Sequence, residues 1–171
     1  NNITQGYSGM LATGKTSGKY RYDLWTFFED DKYNPNDLGF LYSNNEISSG
    51  LRQSYLQLKE NKRFISSSLS STISYESLFT EQKFVNLNLD IEGRVTLKNH
   101  LTLFMSADIN PYEGNDFYEA RTGDFNNPVK LSKSVKVRTH ISTDYRKSFA
   151  IDLSLGGKLN PLHDGYSYHW R

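Results

Sequence analysis

Phe84-Val-Asn-Leu-Asn-Leu-Asp-Ile-Glu-Gly-Arg-Val-Thr-Leu97 sorts its side chains by parity. Val85, Leu87, Leu89, Ile91, Val95 and Leu97 take the odd positions; Asn86, Asn88, Asp90, Glu92 and Arg94 take the even ones. Successive side chains of a β-strand point to opposite faces, so the stretch has one apolar face and one polar face. A helix would mix the two sets around its circumference, so the period is two. At about fourteen residues the strand outruns the roughly 5–6 residues usual in globular sheets. A tilted strand of about 9–11 residues crosses the hydrocarbon core of a bilayer. The apolar face therefore suits either lipid or a protein core.

The next segment, 100–110, carries Leu101, Leu103, Met105, Ala107 and Ile109 on one face. Joining it to the first through the turn Lys98-Asn99-His100 makes a hairpin of a common loop class. The apolar faces then match Leu97 with Leu101, Val95 with Leu103 and Ile91 with Ala107. On the polar face Thr96 meets Thr102, Glu92 meets Ser106 and Asp90 meets Asp108. Facing carboxylates destabilise a sheet. A wet lumen, a base such as Arg94 or a bound cation would relieve the repulsion.

The pattern continues in both directions. Segments 5–13, 19–29, 47–59 and 64–77 read as strands upstream, with 38–42 a short extended piece after the turn-rich 30–37. Downstream, 133–145 sets Val135, Val137, Thr139 and Ile141 against Lys136, Arg138, His140 and Ser142. Segment 149–159 follows until Asn160-Pro161 breaks it, and 165–170 starts a further strand. The expectation is about eight strands in a row and no helix. Connections read as short after strands one, three, five and seven and longer after two, four and six. An up-and-down meander would then send long loops from one end and tight turns from the other, as outer-membrane barrels do.

Composition narrows the classes. A chain of 171 residues makes one domain. Net charge of +1 gives no electrostatic case for nucleic acid. Cysteine is absent, which removes disulfide frameworks and thiolate metal sites. There is no apolar run of the roughly 18 residues a membrane helix needs. Barrel strands alternate instead and average to a polar composition. The sequence opens at Asn1 without an initiator Met or signal peptide, so a processed form or a piece of a longer chain is expected.

Several motifs invite a chemical reading. Gly9-Met-Leu-Ala-Thr-Gly14-Lys15-Thr16 matches the phosphate-binding P-loop pattern, but a strand rather than a helix follows it. A hairpin turn is the expectation there. Asp30, Asp31, Asn34, Asn36 and Asp37, and Glu113, Asp116, Glu119 and Asp124, offer oxygens without EF-hand spacing. Such residues in surface turns serve the backbone. His100, His140, His163 and His169 lack zinc spacing. Asp90, Glu92 and Asp108 could form a glycosidase-type carboxylate pair, with polar lining as the plainer account.

Two stretches resemble a known family. Tyr33-Asn-Pro-Asn-Asp-Leu-Gly-Phe-Leu41 with Ser43-Asn-Asn45, and Ile141-Ser-Thr-Asp-Tyr-Arg-Lys-Ser-Phe-Ala150, are similar to segments of a Bacteroidota outer-membrane family. Its members join an N-terminal family-9-type carbohydrate-binding module to a C-terminal β-barrel domain of unknown function. The likeness follows the strand order of the whole chain, and the Asn-Pro-Asn-Asp-Leu-Gly-Phe run is its specific part. It implies an outer-membrane location and glycan handling by the other module. Some members are loosely labelled membrane-associated hydrolases, and the resemblance supplies no catalytic residue.

The fold expected is all-β: an antiparallel up-and-down meander forming part of a transmembrane β-barrel in a Gram-negative outer membrane. Asn86, Asn88, Asp90, Glu92, Arg94, Asp108, Lys136, Arg138 and His140 are the expected lumen-facing residues. Outer-membrane lipid and a polar solute of the glycan class are the expected partners, with no nucleic acid and no cofactor. A soluble ligand-binding barrel or sandwich, and a hydrolase using Asp90, Glu92 and Asp108, are the alternatives.

Overall fold

The computed structural model describes residues 5–34, 43–119, 126–160 and 165–171. Eleven strands form: β1 (Ser8–Lys15), β2 (Tyr20–Glu29), β3 (Glu46–Gln57), β4 (Phe64–Leu78), β5 (Phe84–Leu97), β6 (Thr102–Asn110), β7 (Gly114–Asp116), β8 (Val129–Leu131), β9 (Ser134–Ser142), β10 (Asp152–Asn160) and β11 (Gly165–Trp170). Nine of them make one antiparallel meander in the order β1-β2-β3-β4-β5-β6-β9-β10-β11. β7 and β8 pair separately inside the long connection between β6 and β9. No helix occurs among the described residues.

The β5–β6 hairpin takes the register expected from its apolar faces: Val95 lies opposite Leu103, Ile91 opposite Ala107 and Asp90 opposite Asp108. Its turn closes through Leu97 N–H to Leu101 O at 2.8 Å and His100 N–H to Leu97 O at 2.9 Å. His100 takes a left-handed φ of 60° there. The P-loop-like run is β1 and the turn 16–19, where Gly18 has φ 84°. β2 follows directly, so no helix N-terminus is available for a phosphate, and the run is a hairpin turn.

Three expectations change. The connection after the fourth strand is only 79–83 and the connection 143–151, expected short, is longer, so short turns and long loops do not separate cleanly between the two ends. Segment 111–131 is not loop throughout, because β7 and β8 form within it. The main sheet has nine strands, not about eight, since β11 pairs fully with β10. The extended piece expected at 38–42 lies outside the described residues.

The sheet has one face of each character. The register puts Tyr20, Tyr22, Leu24, Leu51, Leu69, Ile73, Leu89, Ile91, Val95, Leu103, Met105, Ile141, Leu153 and Leu155 on one side. On two strands the outward-facing apolar side chains are the more exposed ones. On β2, Tyr20, Tyr22, Leu24 and Thr26 are exposed while Arg21, Asp23, Trp25 and Phe27 are half-buried. On β10, Leu153, Leu155 and Leu159 are exposed while Ser154 and Lys158 are half-buried. Elsewhere the contrast is mixed: Arg52, Glu92, Arg94 and Arg138 on the polar face are exposed, while Leu51, Leu87, Leu89 and Val95 are half-buried.

Hardly any core exists in the ordinary sense. Among the described residues the buried hydrophobic side chains are Leu78 and Phe117. The chain exposes 12378 Å², whereas a compact 19.7 kDa monomer exposes about 8,600 Å². Large apolar side chains contribute to it, such as Leu69 at 56%, Met105 at 56% and Leu155 at 49%. Backbone pairing holds this sheet, and something outside it must cover its apolar face.

Aromatic side chains mark both ends of that face. Tyr20, Tyr22 and Tyr55 lie near the turns 16–19 and 58–63, with the Tyr20 and Tyr22 rings 6.1 Å apart. At the other end Phe28 stacks on Phe79 at 5.6 Å and Tyr75 meets Phe84 at 5.8 Å. Leu, Ile, Val and Met predominate in the band between, interrupted by Ser49, Gln53, Ser67, Ser71 and Thr139.

Candidate functional site

The alternation that makes each strand also assembles the polar face. Pairing of β5 with β6 and of β6 with β9 brings all nine expected residues onto one side. They fall into rows across the sheet. Asp90, Asp108, Lys136 and Lys158 form one row. Glu92, Ser106, Arg138, Gly156 and His169 form the next. Arg94, Phe104, His140 and Ser154 form a third.

The facing carboxylates are relieved by charge and by amides. Lys136 lies opposite Asp108 on the side away from Asp90. The side-chain amides of Asn88 and Asn110 donate to Asp108 Oδ1 at 3.5 and 3.4 Å, long bonds that contribute little each. The Asp90–Asp108 pair reads as part of a hydrated charge lattice, with Glu92 opposite Ser106 rather than a second carboxylate.

The third row opens into a cavity of about 570 Å³ lined by Arg94, Phe104, Arg138, His140, Ser154 and His169 among others. His140 Nδ1 lies 2.8 Å from Ser154 Oγ and its Nε2 3.8 Å from Asp152 Oδ1. That pair of neighbours fixes the ring plane. His169 lies across Gly156, where a Cβ would overlap the imidazole. A larger residue at 156 would lift His169 away from Arg138.

A second constellation sits on the same face across β2 and β3. Trp25 spreads over Gly50, where any Cβ would overlap the indole. The Arg52 guanidinium carbon lies 5.9 Å from the indole centroid, a cation–π contact. Here a flat aromatic surface is held beside a cation.

The loop-bearing end is closed by a polar knot around Asn45, which is fully buried and has φ 59°. Its N–H donates to Asp30 O, its carbonyl accepts from Phe79 N–H, and its side chain bonds Thr80 N–H at 2.8 Å and Glu81 at 3.0 Å. The Tyr118 hydroxyl donates to Asn44 O. Burial, followed by the carboxylates of Glu46, Glu81, Asp116 and Glu29, pushes the Tyr118 phenol up to about 12. At the opposite end Arg146 hydrogen-bonds Asp144 through Nε and Nη2, each at 2.9 Å, and holds that carboxyl well below the usual range.

The acidic turns serve the backbone. Asp30 Oδ1 accepts from Lys32 and Tyr33 N–H, and Asp116 Oδ1 from Tyr118 and Glu119 N–H. No cluster of metal-ligating side chains occurs among the described residues. Asn36, Asp37, Asp124 and His163 lie outside them.

A model of one protein family, described as a domain of unknown function (DUF5916), matches residues 1–169. The chain belongs to the DUF5916 family. Comparison with curated proteins and with solved structures returned no match. The DUF5916 site thus rests on its own geometry. Sequence reading did not name Trp25, Arg52, Phe104 and His169 as site candidates, although alternation in 19–29 already set Trp25 with Arg21 and Asp23. For Trp25 and Phe104 the parity of Asp23 and Ser106 was the available signal. For His169 nothing local reveals that β11 returns beside β10.

Proposed function

We propose that this DUF5916 chain is a portion of a transmembrane β-barrel in a Gram-negative outer membrane, its polar face lining a passage or receptor for a polar solute. One observation carries the proposal: large apolar side chains on one face of the sheet, among them Leu24, Leu69, Met105 and Leu155, are exposed. Water penalises that arrangement and lipid favours it. A soluble ligand-binding barrel would need the apolar parity inside. Aromatic residues at both ends of the apolar band agree with the girdles of membrane barrels. So do the lengths of seven of the nine strands, from nine residues in β6, β9 and β10 to fifteen in β4, with β1 at eight and β11 at six.

Strand parity supports a larger barrel. In a nine-stranded meander the first and last strands run in the same direction, so β1 and β11 cannot join as an antiparallel pair. Antiparallel closure takes an odd number of further strands, consistent with the even counts of bacterial barrels. The resemblance of Tyr33–Leu41 and Ile141–Ala150 to a barrel domain that follows a carbohydrate-binding module makes a glycan the solute class. Fractionation tests the reading: the intact protein should stay with membranes after alkaline carbonate and require detergent for release. A protein that stays in solution without detergent overturns it.

A further inference from the structure

We infer that the cavity between Arg94 and Arg138 binds an acidic sugar, its carboxylate held by the two guanidinium groups and its ring seated against Phe104. This rests on the polar face being open to solute, and it narrows the solute class from polar glycan to uronic acid.

The charges around the cavity carry the inference. Ion pairs among the described residues are Lys98–Glu60 and Arg146–Asp144, and His140 Nε2 lies 3.8 Å from Asp152 Oδ1. Neither Arg94 nor Arg138 takes part, and neither makes a side-chain hydrogen bond among those residues, though both line the cavity. The nearby carboxylates, Asp152 at 3.8 Å from His140 and Glu92 opposite Ser106, form no ion pair with either arginine. An arginine fork with no protein acceptor is matched by a planar carboxylate, which it can bind through two parallel bonds.

The remaining lining suits a sugar ring. Phe104 lies in register between Arg94 and His140, an apolar surface flanked by donors. Ser154, Thr102 and Ser142 border the same space and carry hydroxyls that can exchange bonds with sugar hydroxyls. Gly156, in register with Arg138, keeps room for the His169 imidazole. The cavity of about 570 Å³ lies within the range of small-ligand sites and holds a short saccharide rather than a single ion.

Binding of tetragalacturonate and of its fully methyl-esterified form to the intact protein in detergent tests this, with membrane fractionation run on the same preparation. The acid should bind at least tenfold tighter than the ester and weaken as salt rises. Arg94→Ala and Arg138→Ala should each cost roughly tenfold, and Arg94→Lys should recover part of the loss. Equal affinity for acid and ester, or no binding by a protein that fractionates with membranes, overturns the inference and leaves the barrel reading standing. Acid-selective binding by a protein that remains soluble upholds the site and overturns the barrel instead.

Discussion

Placing a single arginine at two depths of one strand separates lipid from every other cover for the apolar face. Ile91 is at the middle of β5 and Leu97 at its end, beside the turn 98–101. They are six positions apart on the same face, about 20 Å along a strand rising roughly 3.4 Å per residue. A tilt of about 40° leaves roughly 15 Å along the membrane normal, which is half of a hydrocarbon core of about 30 Å. If Ile91 is near the midplane, Leu97 is at the interface. Ile91→Arg should then cost about 2–4 kcal/mol and Leu97→Arg about 0–1 kcal/mol. The first is a loss of roughly 30- to 700-fold in the folding equilibrium. Glu92→Arg, on the polar face, should stay within about 0.5 kcal/mol. Urea titration of the intact protein in phosphatidylcholine vesicles, followed by tryptophan fluorescence, measures all three. Equal costs at 91 and 97, or no cost at 91, would refute the depth argument.

Three further outcomes follow from individual sites. Asn45→Ala removes the acceptor of Thr80 N–H and the donor to Glu81 in a buried left-handed position, so it should destabilise by about 2–4 kcal/mol. Protease cleavage near residues 79–83 should rise with it. Gly50→Ala drives a methyl into the Trp25 indole and should cost about 1–3 kcal/mol with a shift in tryptophan emission. The pH limits divide by end. Asp144, depressed by Arg146, contributes stability that is present above the ordinary carboxylate pKa and lost as pH falls below it. Tyr118, raised to about 12, contributes stability present below the ordinary phenol pKa and lost as pH climbs towards that value. Asp144→Asn should flatten the acid limb of a stability–pH curve, and Tyr118→Phe the alkaline limb.

Much of the sheet was legible because its determinants are local. Alternation in 84–97 and 101–109, joined by a short turn, fixes both faces and the register, and Asp90 does meet Asp108. What was not legible depends on partners distant in sequence. β6 pairs with β9 across the connection 111–133, so nothing near Asp108 announces that Lys136 will offset it. The same holds for His140 beside Phe104 and for His169 over Gly156. β7 and β8, at three residues each, are too short to show alternation, and they form where Asn115 reaches the Phe84 carbonyl. Exposure of the apolar side chains is a property of the assembled sheet. Parity alone separates two faces without saying which one water reaches.

That question is also the most direct test of the barrel reading. Because the chain has no cysteine, single cysteines at each position from 85 to 96 can carry a nitroxide label in vesicle-reconstituted protein. Collision rates with oxygen, which partitions into lipid, and with a water-soluble nickel chelate then report each label's surroundings. The account predicts high oxygen and low nickel accessibility at 85, 87, 89, 91 and 95, and the reverse at 86, 88, 90, 92 and 94. Nickel accessibility at the odd positions would contradict it.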